Sequence, residues 1–239
     1  MGNRGDRKPL QVSTWLPARA WRGTSSADGR PNPLPGPFGV EFRQDVSWLK
    51  SLKGTRTERN LLAAFAGESQ ARNRYSFFAS QARKEGFEQI SAAFLETADN
   101  EKEHAKVVFK FLEGGELEIS AAFPAGVIGT TEENLKAAAM GENHEHMKMY
   151  VDFAKVATEE GFPAVAAAFR AIGRAEMAHD ERFMGFLNNL KNDRVFKRDK
   201  VVKWRCRNCG YVHEGKEAPL ACPACSHPRA FFELLVENW

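Results

Sequence analysis

From Thr57 onward apolar residues return every three or four positions. Leu61, Ala64, Phe65, Ala71, Tyr75, Phe78 and Ala82 fall on one face of a 3.6-residue period, which predicts a one-sided helix broken at Gly86. A second helix is expected over about 89–113, stopping at Gly114-Gly115, since glycine readily takes the left-handed conformation that ends a helix. Thr130 and Glu133 have the spacing of a capping box and open a third helix that runs to about Glu159. Gly161-Phe162-Pro163 makes the next turn, with proline in the first turn of a fourth helix reaching about Asn192. Between the second and third helices, residues 114–130 carry Pro124, Gly126 and Gly129 and read as a long connection.

Loop length then constrains topology. Turns of a few residues after the first and third helices make each pair an antiparallel hairpin, and the long middle connection can cross the bundle lengthwise. One long crossover is the ferritin-like form of a four-helix bundle, so the fold class is mainly α. The hairpins also repeat. Glu85-Gly86-Phe87 returns 75 positions later as Glu160-Gly161-Phe162, and Phe94, Glu101, His104 and Phe111 return as Phe169, Glu176, His179 and Phe186. A duplication of this kind places a pseudo-two-fold site between the halves. Gly67 to Phe87 spans 20 positions, whereas Gly141 to Phe162 spans 21. The extra residue in the third helix predicts a π-bulge within residues 142–150.

Residues 1–50 lack this periodicity, alternate proline from Pro31 to Pro37, and are expected to be a disordered leader without chemistry of its own. They carry a net charge of +4 of the chain's +3, which leaves the rest near neutral and without the basic footprint of a nucleic-acid binder. A hydrophobic content of 43% is ordinary for a globular protein, and no stretch has the roughly 20 apolar residues of a membrane span. All four cysteines lie between Cys206 and Cys225. Such clustering reads as a metal site in a reducing compartment more than as a set of staples, and with no apolar secretory signal the expected location is the cytoplasm. The expected segments are a leader over 1–50, the bundle over 51–196 and a small cysteine domain over 197–239.

The chemistry shows in charges on the wrong face. Glu101 and His104 lie in the middle of the second helix's apolar stripe, between Ala98 and Val108, and Glu176 and His179 do so in the fourth, between Ile172 and Phe183. Glu68 falls between Phe65 and Tyr75; Glu142 falls between Leu135 and Met149, with Glu145 a turn further on. Burying one unpaired carboxylate costs several kcal/mol, about 3–5 where a partner is removed, so five carboxylates and two histidines require cations. Glu-x-x-His puts an oxygen and a nitrogen donor one turn apart. Two such pairs, with single glutamates from the other helices, match the ligand pattern of ferritin-like di-iron or di-manganese proteins, and mixed carboxylate and imidazole donors suit either metal. His146, one turn from Glu142, is a possible competing ligand, but like His144 it is read as a polar residue outside the ligand set.

The segments running from Ala66-Gly67-Glu68 to Tyr75, from Glu101 to His104 and from Gly141 to Glu145 resemble those of the rubrerythrin family, and the resemblance covers residues 51–239. It implies that Glu68, Glu101, His104, Glu142, Glu145, Glu176 and His179 are di-iron ligands, that Glu101 and Glu176 bridge, and that one iron exchanges His104 for Glu145 as its oxidation state changes. It also implies that Tyr75 and Tyr150 hydrogen-bond ligand carboxylates.

Cys206-x-x-Cys209-Gly-Tyr and Cys222-Pro-x-Cys225 form two matched knuckles, a tetrahedral sulfur site that accepts zinc or iron. The Gly-Tyr pair and the proline resemble rubredoxin, which favours iron; Ser226 stands where rubredoxins often have glycine. Three irons per chain are therefore expected. The resemblance implies a peroxidase that reduces hydrogen peroxide to water, fed from a rubredoxin or rubredoxin reductase that draws on NAD(P)H, and arranged as a head-to-tail homodimer. A ferritin-like ferroxidase has no need of an electron-transfer domain. A zinc ribbon on an ordinary bundle leaves the buried Glu/His set unexplained.

Overall fold

The computed structural model describes residues 50–237, so nearly all of the expected leader lies outside the described residues. Helix α1 spans Arg56–Lys84, with Thr55 at its N-cap accepting from the Glu58 amide at 3.0 Å. Helix α2 spans Glu88–Phe109. It ends four residues short of the expected end: the chain tightens into i→i−3 bonds from Phe111 N to Val108 O and from Leu112 N to Phe109 O, then leaves through Gly114 and Gly115 at φ 79° and 94°. The third rod comes in three pieces: α3 over Thr131–His144, a π turn over Glu145–Met149, and α4 over Tyr150–Glu159. The π turn lies inside the segment where the repeat carries its extra residue. Pro163 opens α5, which runs to Lys191. No helix among the described residues is long and apolar enough to cross a membrane.

Helix α1 packs chiefly on α2, and α3 and α4 pack on α5, so the two hairpins face each other. Their apolar interior forms two clusters. One contains Tyr75, Phe78, Phe94, Leu135 and Phe183, and the other Leu61, Val108, Tyr150, Phe169 and Ile172. Each rod passes from one cluster to the other, and the polar residues lie where it crosses: Glu68 in α1, Glu101 and His104 in α2, Glu142 and Glu145 in the third rod, Glu176 and His179 in α5. The polar layer is thus closed off along the bundle axis by apolar packing on both sides.

A matched pair of interhairpin caps sets the ends of the rods. The Glu160 carboxylate, in the α4–α5 turn, accepts from the Thr57 amide at 2.9 Å and its hydroxyl at 2.7 Å, at the start of α1. Its repeat partner Glu85, in the α1–α2 turn, accepts from the Thr131 amide at 3.0 Å, at the start of α3. A carboxylate at a helix N-terminus satisfies free amides and meets the positive end of the helix dipole.

After α5 the chain forms a three-stranded antiparallel sheet in the order β2-β1-β3, from β1 Lys197–Cys206, β2 Val212–Glu217 and β3 Phe232–Leu234. Alternation along β1 turns Trp204 and Cys206 into a small core with Ala218, Cys222 and Phe232. The buried indole N–H of Trp204 donates to the Gly215 carbonyl at 3.0 Å. Phe196, just before β1, stacks on Phe87 at the α1–α2 turn with ring centroids 6.1 Å apart, and β3 also touches α2.

Candidate metal centres

Two overlapping groups of ligand atoms occupy the polar layer. Glu68, Glu101, His104 and Glu176 bring donor atoms within 4.8 Å of one another, and so do Glu101, Glu142, Glu176 and His179. Glu101 and Glu176 belong to both groups; Glu68 with His104, and Glu142 with His179, each belong to one. The Tyr75 hydroxyl donates to Glu142 and the Tyr150 hydroxyl to Glu68, so each unshared glutamate is held by a buried phenol from the opposite repeat.

Six buried atoms in this layer lack a hydrogen-bond partner among the described residues: Glu68 Oε2, Glu101 Oε1, Glu142 Oε2, both oxygens of Glu176, and His179 Nδ1. They are nevertheless crowded. His179 Nδ1 lies 2.8 Å from Glu176 Oε2, and His104 Nδ1 lies 2.9 Å from Glu176 Oε1, without the directions a hydrogen bond needs. Donor atoms drawn together but not bonded to each other are what a shared cation requires. Burial pushes the carboxyls of Glu68 and Glu145 well above the usual range, and that of Glu142 up to about 8 despite the nearby His179. Burial pulls the His179 imidazole down, but Glu101, Glu142 and Glu176 outweigh it and lift it to about 11; His104 is raised for the same reason. Burial also raises Glu101, yet the two histidines outweigh it and hold that carboxyl low. The raised carboxyls of Glu68, Glu142 and Glu145 mark a layer that favours added positive charge, which two divalent cations would supply.

The second candidate centre is built from the two knuckles. The four cysteine sulfurs lie within 4.8 Å of one another, with Cys206 to Cys225 at 3.8 Å and Cys209 to Cys222 at 3.6 Å, and all four are free thiols. Each knuckle closes with a backbone bond, from Gly210 N to Cys206 O at 2.9 Å and from Ser226 N to Cys222 O at 2.8 Å. Both closing residues need positive φ, 80° at Gly210 and 60° at Ser226. Backbone amides also face the sulfurs. The His227 N–H lowers the Cys225 thiol to about 6, while at Cys209 the Tyr211 N–H is outweighed by the neighbouring thiols, which push it up to about 12. Four sulfurs gathered in this way offer a tetrahedral metal site.

The rubrerythrin family model matches residues 59–187, and the rubrerythrin rubredoxin-like domain model matches residues 204–233. The chain is 62% identical to a rubrerythrin of Nitratidesulfovibrio vulgaris over 191 residues, 80% of this chain and 100% of that one. This chain belongs to the rubrerythrin family. It is also 57% identical to the rubrerythrin of Porphyromonas gingivalis, over 84% of this chain and all of the other. Among solved structures, fully reduced, all-ferrous nigerythrin aligns with a TM-score of 0.51 at 31% identity, covering 78% of this chain and 92% of that one. As a rubrerythrin, the chain is a di-iron oxidoreductase with a ferritin-like bundle. It combines a di-iron carboxylate site with a four-cysteine rubredoxin-like site, a complement of three irons per chain.

Of the seven bundle residues singled out in the sequence, the structure brings six into the two groups. Glu145 is buried beside them but belongs to neither, and it lines a cavity of about 1040 Å³ bounded by α1, α3 and the crossover. His144 is exposed, and the half-buried His146, whose Nε2 lies 3.1 Å from Asp180 Oδ2, belongs to neither group. Two features of this rubrerythrin escaped the sequence reading. The Glu85 and Glu160 caps could have been found from their place in the repeat. The contact between His179 Nε2 and Asn100 Oδ1 at 3.3 Å had no signal, since a half-buried asparagine beside a ligand is unremarkable in sequence.

Proposed function

We propose that this rubrerythrin is a non-haem di-iron peroxidase that reduces hydrogen peroxide to water, with electrons passed through its four-cysteine iron. Glu68, Glu101, His104, Glu142, Glu176 and His179 would hold the iron pair, with Glu101 and Glu176 shared, and Cys206, Cys209, Cys222 and Cys225 the single iron. Glu145 is the reserve carboxylate that would take the place of His104. The observation that carries the reading is the convergence of orphaned buried donor atoms in the same chain as a four-thiol site. When bound, the iron pair supplies the two electrons that, with two protons, convert one peroxide to two waters.

The chain's own residues prepare the place for that chemistry. Apolar layers on both sides keep bulk water away from the polar layer. The Tyr75 and Tyr150 hydroxyls orient Glu142 and Glu68, so the unshared ligands need not reorganise. The cavity lined by Gly67, Phe123, Glu145 and Met149 gives a small oxidant an approach, with Glu145 on its wall. The upstream donor is a rubredoxin or rubredoxin reductase drawing on NAD(P)H, and the working unit is a head-to-tail homodimer in which one chain's cysteine domain serves the other chain's iron pair. The test is to mix anaerobically reduced, iron-loaded protein with peroxide and follow the visible absorption of the cysteine-bound iron. Rapid reoxidation at two electrons per peroxide is expected. Slow reoxidation, or faster reaction with oxygen than with peroxide, would replace the peroxidase with a ferroxidase.

A further inference from the structure

We propose that Asn100 is a positioning residue that makes the two halves of the centre unequal, clamping the His179 imidazole while that of His104 stays free to turn. This rests on the di-iron reading above and goes one step beyond it. His179 turns Nδ1 toward the carboxylates, 2.8 Å from Glu176 and 3.2 Å from Glu101, so its far edge carries the N–H. That Nε2–H meets the Asn100 side-chain oxygen at 3.3 Å. The contact joins two helices, because Asn100 precedes Glu101 on α2 whereas His179 is on α5. An acceptor at this place fixes both the tautomer and the ring plane of a ligating histidine.

The internal repeat makes the comparison within one molecule. The 75-residue offset carries Glu101 onto Glu176 and His104 onto His179, and carries Asn100 onto Ala175. Alanine cannot accept, and His104 Nε2 has no hydrogen-bond partner among the described residues. The His104 side chain is also the more exposed, 16% against 9% for His179. A single asparagine-to-alanine difference thus separates the two halves at this point.

The experiment is a competitive ferrous titration of the full-length chain, anaerobic, against a chelator, counting metal outside the cysteines and using the colour of the cysteine-bound iron as a folding control. The wild type should bind two irons in the bundle with distinct affinities. Asn100→Ala should weaken the tighter one about 10- to 100-fold. Asn100→Asp, which keeps an acceptor, should restore it. Ala175→Asn should tighten the weaker one by giving His104 its missing partner. Unchanged affinities in Asn100→Ala, with native helix content and cysteine-iron colour, would overturn the proposal. Should that variant not fold, an unchanged weaker site in Ala175→Asn would overturn it equally. A wild type that binds no iron outside the cysteines would instead remove the di-iron reading on which the proposal stands.

Discussion

Replacing Glu160 with glutamine should cost far more than the same change at its repeat partner Glu85. One Glu160 oxygen accepts from the Arg56 amide at 3.3 Å and its side chain at 3.1 Å, and the other accepts from Thr57 at 2.9 and 2.7 Å. Glutamine puts an NH₂ in place of one oxygen, so either the Thr57 amide or the two Arg56 N–H groups face a donor, while the Thr57 hydroxyl can turn to accept. Hydrogen bonds to a charged acceptor contribute about 1.5–3 kcal/mol each, and an anion at a helix N-terminus roughly 0.3–1. The Arg56 side chain is 59% exposed, which reduces its share to almost nothing. A net loss of about 2 kcal/mol remains, or roughly 4–8 °C in Tm for a body of this size. Among the described residues Glu85 accepts only from the Thr131 amide and the Gln81 side chain, and α3 has its own capping box, so Glu85→Gln should cost about 0.5–1 kcal/mol. The pH dependence has a definite sign. Although burial alone would raise it, the bonds from Thr57 and Arg56 hold the Glu160 carboxyl down at about 2. The folded state therefore binds fewer protons than the unfolded chain between the ordinary carboxylate value and about 2, so the wild-type advantage is complete above that window and is lost as pH falls through it. Thermal unfolding of iron-loaded protein, followed by far-ultraviolet circular dichroism, reads both effects. Equal losses in the two variants, or a gap that widens in acid, would refute the reasoning.

Three further outcomes follow from the same geometry. Glu176→Ala should remove both bundle irons and Glu68→Ala only one, because the first residue is shared and the second is not; metal analysis after gel filtration decides, and equal losses would contradict the assignment of the bridge. Removing metal with a chelator should lower the thermal stability of the bundle by several kcal/mol, about 3–5, since the carboxylates would stay buried without countercharge; calorimetry of loaded and stripped protein measures it. Ser226→Gly should stabilise the iron-loaded cysteine site by about 0.5–1 kcal/mol, because φ of 60° costs a side-chain-bearing residue what it does not cost glycine; slower loss of visible colour in denaturant is expected, and faster loss would count against it.

Much of this architecture could be read along the chain. A 3.6-residue period carried into a polar layer marks Glu68, Glu101, His104, Glu142, Glu176 and His179 as inward, because nothing but a cation makes such positions tolerable. The one-residue difference between repeats located the π turn, because an extra residue in a helix has to be absorbed without breaking the rod. The end of α2 was less legible: the apolar period continues through Phe111 and Leu112, while the backbone has already tightened to turn into the crossover.

Taken alone, the sequence determined the rods, the crossover, the four-thiol knuckles and the set of side chains that must meet, since periodicity and spacing are local properties of a chain. Why Glu145 stands aside, why His146 turns to Asp180 and how Glu85 and Glu160 cap the opposite hairpin were decided only when the two hairpins packed. Those outcomes depend on distances between helices far apart in sequence, and a linear pattern records which face a residue occupies but not what it will meet there.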